Sequence, residues 1–314
     1  MQAQAVWQQI AQVLAVVLLS PLLYGFIAMM EEKVQRGAGP SLFQAYRDLF
    51  KWFRKEIVVP QTASWIFWAA PIVAFAAMLT VPLLIPVLTN YPLPLSDMGD
   101  MLGGGLILTL GGFAILLAGL DSGHPYGGLG SSREAMLAIL AEPTLIMVFI
   151  GITLLAQAML PFVVNHLLVA QPAVFWGPAH LFLVAAFFIL LTVETERLPI
   201  HSSIHDEIYM IGEARILEYS GPLLALLKWA SWMKQAILYT IFLNVLTIPW
   251  GLSIQGTALG IAGATVALLA KWALLGLIMV FVDTAQSRLR FYRYQEPLAL
   301  SFLMAILAIV ARQV

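Results

Sequence analysis

The sequence predicts an all-α integral membrane protein of about eight transmembrane helices, and three observations carry that prediction. Hydrophobic residues make up 61% of the chain and charged residues 11%, with a mean hydropathy of +0.89, whereas about a quarter of the residues of a soluble domain are charged. The apolar residues fall into runs of spanning length, since a helix rising about 1.5 Å per residue needs about 20 residues to cross about 30 Å of hydrocarbon. The basic residues, finally, collect in alternate connections between those runs.

The runs lie at 6–29, 64–88, 101–120, 134–160, 177–196, 221–248, 256–283 and 297–312. Run one has no basic leader and no Ala-x-Ala cleavage signal, so it reads as a retained span. Between runs one and two lie Lys33, Arg36, Arg47, Lys51, Arg54 and Lys55; Arg133 follows run three, Arg197 and Arg215 follow run five, and Arg288, Arg290 and Arg293 follow run seven. The intervening connections 89–100, 161–176 and 249–255 carry neither Lys nor Arg. By the positive-inside rule the basic connections face the cytoplasm and both termini lie outside. Residues 1–314 read as a single polytopic domain without an internal repeat.

In the first basic connection, residues 41–55 place Leu42, Tyr46, Leu49 and Phe53 on one helical face and Arg47, Lys51, Arg54 and Lys55 largely on the other. That pattern suits a cytoplasmic amphipathic helix in the interface plane, resting on anionic lipid or on a cytoplasmic partner. Residues 194–219 hold six carboxylates (Glu194, Glu196, Asp206, Glu207, Glu213 and Glu218) against two arginines. Acidic residues do little to set topology, so this excess requires another explanation. Trp7, Trp176 and Trp250, near run ends, read as interfacial anchors.

Several function classes drop out. The net charge of −1 gives no footprint for nucleic acid, and zero cysteines exclude disulfides and cysteine-held iron–sulfur clusters in this chain. The Gly-rich segment 121–132 lacks the Gly-Lys-Ser/Thr of a phosphate loop. It reads instead as a turn, with Ser131 and Glu134 at capping-box spacing for the following helix. His201 and His205 share a helical face but lack a zincin glutamate, and they suit proton carriage better than metal binding.

What remains is a set of ionisable groups inside apolar runs: Glu142, Glu194, Glu196, Lys228, Lys234, Lys271 and Asp283. Each costs at least about 2.5 kcal/mol in lipid, so it needs a partner, a wet cavity or a task. Arg133 lies nine residues before Glu142, on the opposite helical face, and cannot neutralise it. Glu142 therefore fits either a proton relay or a protonated interhelical contact. Neither Lys228 with Lys234 nor Lys271 with Asp283 has i,i+4 spacing, so their partners come from other helices. Lys228 and Asp283 lie near span ends and read as snorkelling groups. Lys234 and Lys271 lie deeper and read as members of a buried polar axis.

Four segments together resemble a known family: QRGAGPSLFQAYRDLFKWFRKE (35–56), GSSREAMLAILAEP (130–143), ETERLP (194–199) and EYSG (218–221). They resemble signatures of the subunit that joins the membrane arm to the hydrophilic arm of respiratory complex I. GLDSGHPYGGLGSSREAM (119–136) and HDEIYMIGEARILEYSG (205–221) are more similar to the membrane-anchor subunit of group 4 membrane-bound hydrogenases, the branch holding formate hydrogenlyase subunit 4.

That resemblance implies a non-catalytic energy-coupling subunit in the cell inner membrane. It implies that cytoplasmic hydrogenase-like large and small subunits dock on Arg36, Arg47, Asp48, Lys51, Arg54, Arg133 and Arg197. Protons would pass through Glu142, Glu194, Glu196, Glu207, Glu213, Glu218, His201, His205, Lys234, Lys271 and Asp283 toward antiporter-like membrane subunits. A NiFe centre and iron–sulfur clusters are expected in the partners, with no cofactor or metal in this chain. His201 stands where relatives carry an acid, which implies a more pH-sensitive entrance. The alternatives are the quinone-chamber subunit of a complex I-type dehydrogenase, a stand-alone ion transporter and an inert scaffold. Transporters usually show the paired repeats missing here.

Overall fold

The computed structural model describes residues 2–35, 37, 39–170, 177–195, 212–254, 256–285 and 295–312. Glu196, Arg197, His201, His205, Asp206 and Glu207, with Arg36 and Trp176, lie outside them. Among the described residues there is no strand, and one isolated bridge joins Thr89 to Ser253.

Among the described residues five helices are long and apolar enough to cross a membrane. They are α1 (Gln2–Val34), α3 (Trp65–Leu84), α4 (Met101–Asp121), α5 (Pro125–Ala156) and α10 (Ala258–Ala285). The other apolar runs form α7 (Pro178–Glu194), α9 (Gly221–Thr240) and α11 (Gln295–Ala311). Among the described residues there are also the shorter α-helices α2 (Gln44–Phe53), α6 (Pro161–Ala170) and α8 (Gly212–Arg215). The run at 221–248 is not one regular helix, because α9 passes into a π-helical segment, Ile241–Thr247. The connection 161–176 is not wholly a loop either, since α6 occupies its first ten residues.

The Gly-rich turn expected at 121–132 is mostly helix. α5 starts at Pro125, a residue whose missing N–H costs nothing in a first turn, and His124 caps it by accepting from Tyr126 N at 3.4 Å. Ser131 is no cap; its hydroxyl donates across to Leu116 O of α4 at 3.0 Å. Glycine is needed here for close approach: a Cβ on Gly127 would sit 2.5 Å from Gly119 O, and one on Gly119 would meet Ser131 Oγ at 2.4 Å and Arg215 Cβ at 3.2 Å. In lipid, where water offers no hydrophobic drive between helices, such small-residue contacts let helices pack.

The connections at this end form an interlocked floor. Asp121, the last residue of α4, accepts from Ser64 N at 2.8 Å and Phe67 N at 3.1 Å, and so caps α3 with a carboxylate at its positive end. Tyr219 stacks on Phe67 with ring centroids 4.0 Å apart and donates to Phe67 O at 3.1 Å. Burial and the nearby Asp121 carboxylate push its phenol above the usual tyrosine range, so the hydroxyl keeps its proton and remains a donor. Gly221 has a φ of +58° and lies against the Lys55 and Glu56 carbonyls, where any Cβ would clash.

α2 lies against α1 and α9. Ala45 and Leu49 are buried against Ala225 and Trp232, and Trp52 packs beside them. Tyr46 donates to Leu18 O of α1. Of the apolar face expected, Leu49 is buried and Leu42 and Tyr46 are half-buried, while Phe53, 42% exposed, meets Trp229 edge-on with ring centroids 6.3 Å apart.

Candidate functional site

α4, α5, α7 and α9 enclose a cavity of about 280 Å³ in the half of the bundle nearer α2. Its walls are mostly apolar, with Leu108, Phe113, Leu137, Ile139, Leu145, Val193 and Leu238, but four ionisable side chains project into it: Glu134, Glu142, Glu194 and Lys234. Lys234 Nζ pairs with Glu194 Oε2 at 2.7 Å. Glu142 lies within electrostatic reach of Glu194, Lys234 and Glu134. Three acids thus share one lysine in a space large enough for several waters.

Charged pairs lead from this cavity to the surface that carries α8. Arg215, 7% exposed, approaches Glu134 at 3.5 Å. Two residues earlier, Glu213 pairs with Lys228 of α9. Three residues later, Glu218 meets His124 at 3.6 Å, with both side chains about one-third exposed. Ser220 then accepts from Val58 N at 2.7 Å, which ties the segment to the chain leaving α2. The 212–220 segment therefore binds α5, α9, α3 and the α2 connection in turn. Its charges alternate in sign, so a shift in one pair changes the field at the next.

Of the anticipated relay residues, the structure unites Glu142, Glu194 and Lys234 at the cavity and places Glu213 and Glu218 on the path leading from it. It separates Lys271 from them. Lys271 Nζ donates instead to Asn244 Oδ1 at 2.7 Å and Ile248 O at 2.8 Å, at the opposite end of the bundle. Asp283, near the end of α10, does not line the cavity. Lys228 is held by Glu213 and so is more than a snorkelling group. Among the anticipated docking residues, Lys51 and Arg54 are exposed and Arg47, also exposed, donates to Ser41 Oγ at 2.8 Å. Asp48 accepts from Gln44 at 3.0 Å, and Arg133 is half-buried away from the cavity wall.

Sequence reasoning missed Glu134 and Arg215. A signal existed for Glu134: it precedes Glu142 by eight residues, a spacing that keeps both on one side of a helix about 12 Å apart. No comparable signal marked Arg215, which is buried only because α8 folds onto α4 and α5.

Half-buried carboxylates and a lysine converging on a cavity inside an all-helical bundle define a class: a polytopic membrane subunit with an internal cluster of charge. Residues 8–312 match the family model described as NADHdh, NADH dehydrogenase, and the chain belongs to that family. Formate hydrogenlyase subunit 4 of Escherichia coli (strain K12) is 30% identical over 285 residues, 89% of each chain. Hydrogenase-4 component C of the same strain is 28% identical over 302 residues, covering 95% of this chain and 93% of the relative. NADH-ubiquinone oxidoreductase chain 1 of Triticum aestivum is 27% identical over 253 residues, 71% of this chain and 76% of the relative. Among solved structures, a chain of the membrane-bound sulfane sulfur reductase, an archaeal respiratory membrane complex, shares the fold. Its TM-score is 0.79 at 20% identity, covering 97% of this chain and 99% of that one. The chain is thus homologous to membrane subunits of group 4 hydrogenases and to subunit 1 of complex I.

Proposed function

We propose that this chain is the membrane anchor and energy-coupling subunit of a hydrogenase-like complex of the cell inner membrane. It crosses the membrane eight times, with the α2 end in the cytoplasm and both termini outside. Cytoplasmic large and small subunits, which carry the NiFe centre and iron–sulfur clusters, dock on this end through the basic α2 face and the 195–220 connection. The chain itself has no cysteine to hold a cluster and catalyses no redox step.

One observation carries the reading: Glu134, Glu142, Glu194 and Lys234 meet in a single cavity, and alternating charges at 213–218 join it to the docking end. Electron transfer in the docked module changes the field at Glu213 and Glu218. Arg215 passes that change to Glu134, and the shared proton balance of Glu194, Lys234 and Glu142 adjusts. The charge then leaves laterally, toward antiporter-like membrane subunits.

Mild solubilisation, identification of the co-purifying chains and metal analysis test the assembly. Nickel together with iron in the isolate supports the hydrogenase branch. An isolate with iron but no nickel, whose turnover depends on quinone and stops with quinone-site inhibitors, favours the second reading, which the wheat relative motivates.

A further inference from the structure

Lys271 is 8% exposed, and its ammonium is held by two neutral oxygens, Asn244 Oδ1 at 2.7 Å and Ile248 O at 2.8 Å. Lys228 and Lys234 each have a carboxylate partner. Among the described residues no carboxylate pairs with Lys271. Its compensation is dipolar: Ile248 O belongs to the end of the α9 and π-helical run, where carbonyls lack helical partners and the helix dipole is negative. Asn244 is itself fixed, since its Nδ2 donates to Pro86 O at 2.8 Å and Val87 O at 3.1 Å. Both acceptors are neutral, so the charge of the Lys271 ammonium is not cancelled by a carboxylate beside it.

The position of this charge gives it a use. From Lys234 at the cavity to Asn244 is ten residues, about 15 Å of helix. Polar contacts punctuate the interval: Gln235 donates to Tyr239 OH at 3.4 Å and Trp272 Nε1 donates to Thr240 Oγ1 at 3.1 Å. At the opposite end of the bundle, Tyr91 OH donates to Gln8 at 2.8 Å, beside the connections that leave the membrane there. Polar side chains thus recur along this helix at 235, 239, 240 and 244 between the cavity and Lys271.

We propose that Lys271 is a fixed electrostatic barrier that closes the outer half of this subunit to protons and alkali cations, so that charge gathered in the cavity leaves sideways rather than across the bilayer. The inference rests on the coupling role proposed for the cavity, but its test does not require turnover. A cation in a low-dielectric interior repels other cations directly.

The intact complex is reconstituted in sealed liposomes without an electron donor. A potassium diffusion potential drives proton influx, which a trapped pH dye reports. Wild type and Lys271→Arg should be as tight as empty liposomes, whereas Lys271→Gln leaks and Lys271→Glu raises the influx about tenfold or more. Ala267→Glu places a carboxylate four residues before Lys271, cancels its charge with the lysine retained, and should leak as well. Lys271→Glu decides the matter where it assembles, and Ala267→Glu decides it otherwise. A tight membrane with the deciding variant overturns the barrier while leaving the cavity's coupling role intact.

Discussion

The two ends of this helical bundle bury polarity in different ways. Toward α2, charges are paired with charges: Lys234 with Glu194, Lys228 with Glu213, and Arg215 with Glu134. Toward the opposite end, amides do the work. Gln12 Nε2 donates to Pro82 O and Ile85 O at 2.6 and 2.9 Å, and its Oε1 accepts from Val87 N and Leu88 N at 3.3 Å each. Gln8 donates to Gly256 O at 2.9 Å, and Asn165 donates to Pro249 O at 3.2 Å. Amides satisfy main-chain groups that no water reaches in lipid, where each unmet group costs several kcal/mol. They cannot change charge near neutral pH. Toward α2 the polar groups are carboxylates and a lysine around a cavity, so one end gathers ionisable side chains and the other holds shape with amides.

The largest effect expected is at Lys234. Lys234→Met leaves Glu194 beside an apolar wall without its partner, costing about 3 kcal/mol of stability and abolishing coupled ion movement. Thermal unfolding of the solubilised complex should show the loss, and adding Glu194→Gln should recover most of the stability but none of the coupling. At the other end, Asn244→Ala removes one of the two acceptors of Lys271 Nζ and the donor to Pro86 O and Val87 O, and costs about 2–3 kcal/mol. Whatever fraction assembles should translocate ions with the wild-type ratio to electrons. An altered ratio would break the division between the ends.

Smaller effects sharpen it. Gly119→Val drives a side chain into Ser131 Oγ and the Arg215 backbone and costs about 1–3 kcal/mol, with α8 and the Arg215–Glu134 contact displaced. Hydrogen exchange across 212–220 should rise accordingly. Asp121→Ala removes the cap on α3 and costs about 1–2 kcal/mol in a melt, without an effect on coupling. Lys51→Ala with Arg54→Ala should change stability by less than about 0.5 kcal/mol, since both are exposed. Their effect belongs to binding of the soluble module, measurable as its retention on washed membranes.

The hydrophobic pattern made most of the helices legible, because spans in lipid have a minimum length and a composition that few other elements share. It failed where backbone geometry overrides composition. Residues 121–132 read as a turn because glycine usually breaks helices, yet from Pro125 on they are helical and glycine admits α4 at contact distance. The π-helical segment at Ile241–Thr247 has no apolar signature of its own. At the site, the sequence located Glu142, Glu194 and Lys234 by their cost in lipid. It gave no means to pair them, since Lys234 finds Glu194 on a helix forty residues away in the chain, and it grouped Lys271 with them although their environments differ. Cost in hydrocarbon marks a residue as compensated without saying by what.

The cavity's role is tested most directly by the ratio of ions translocated to electrons transferred in sealed vesicles carrying the intact complex with Glu142→Gln, beside Glu142→Asp. A charge path through Glu142 predicts electron transfer retained and ion translocation reduced to background in the glutamine variant, with a substantial part preserved by aspartate. Full translocation by an assembled Glu142→Gln complex would contradict it.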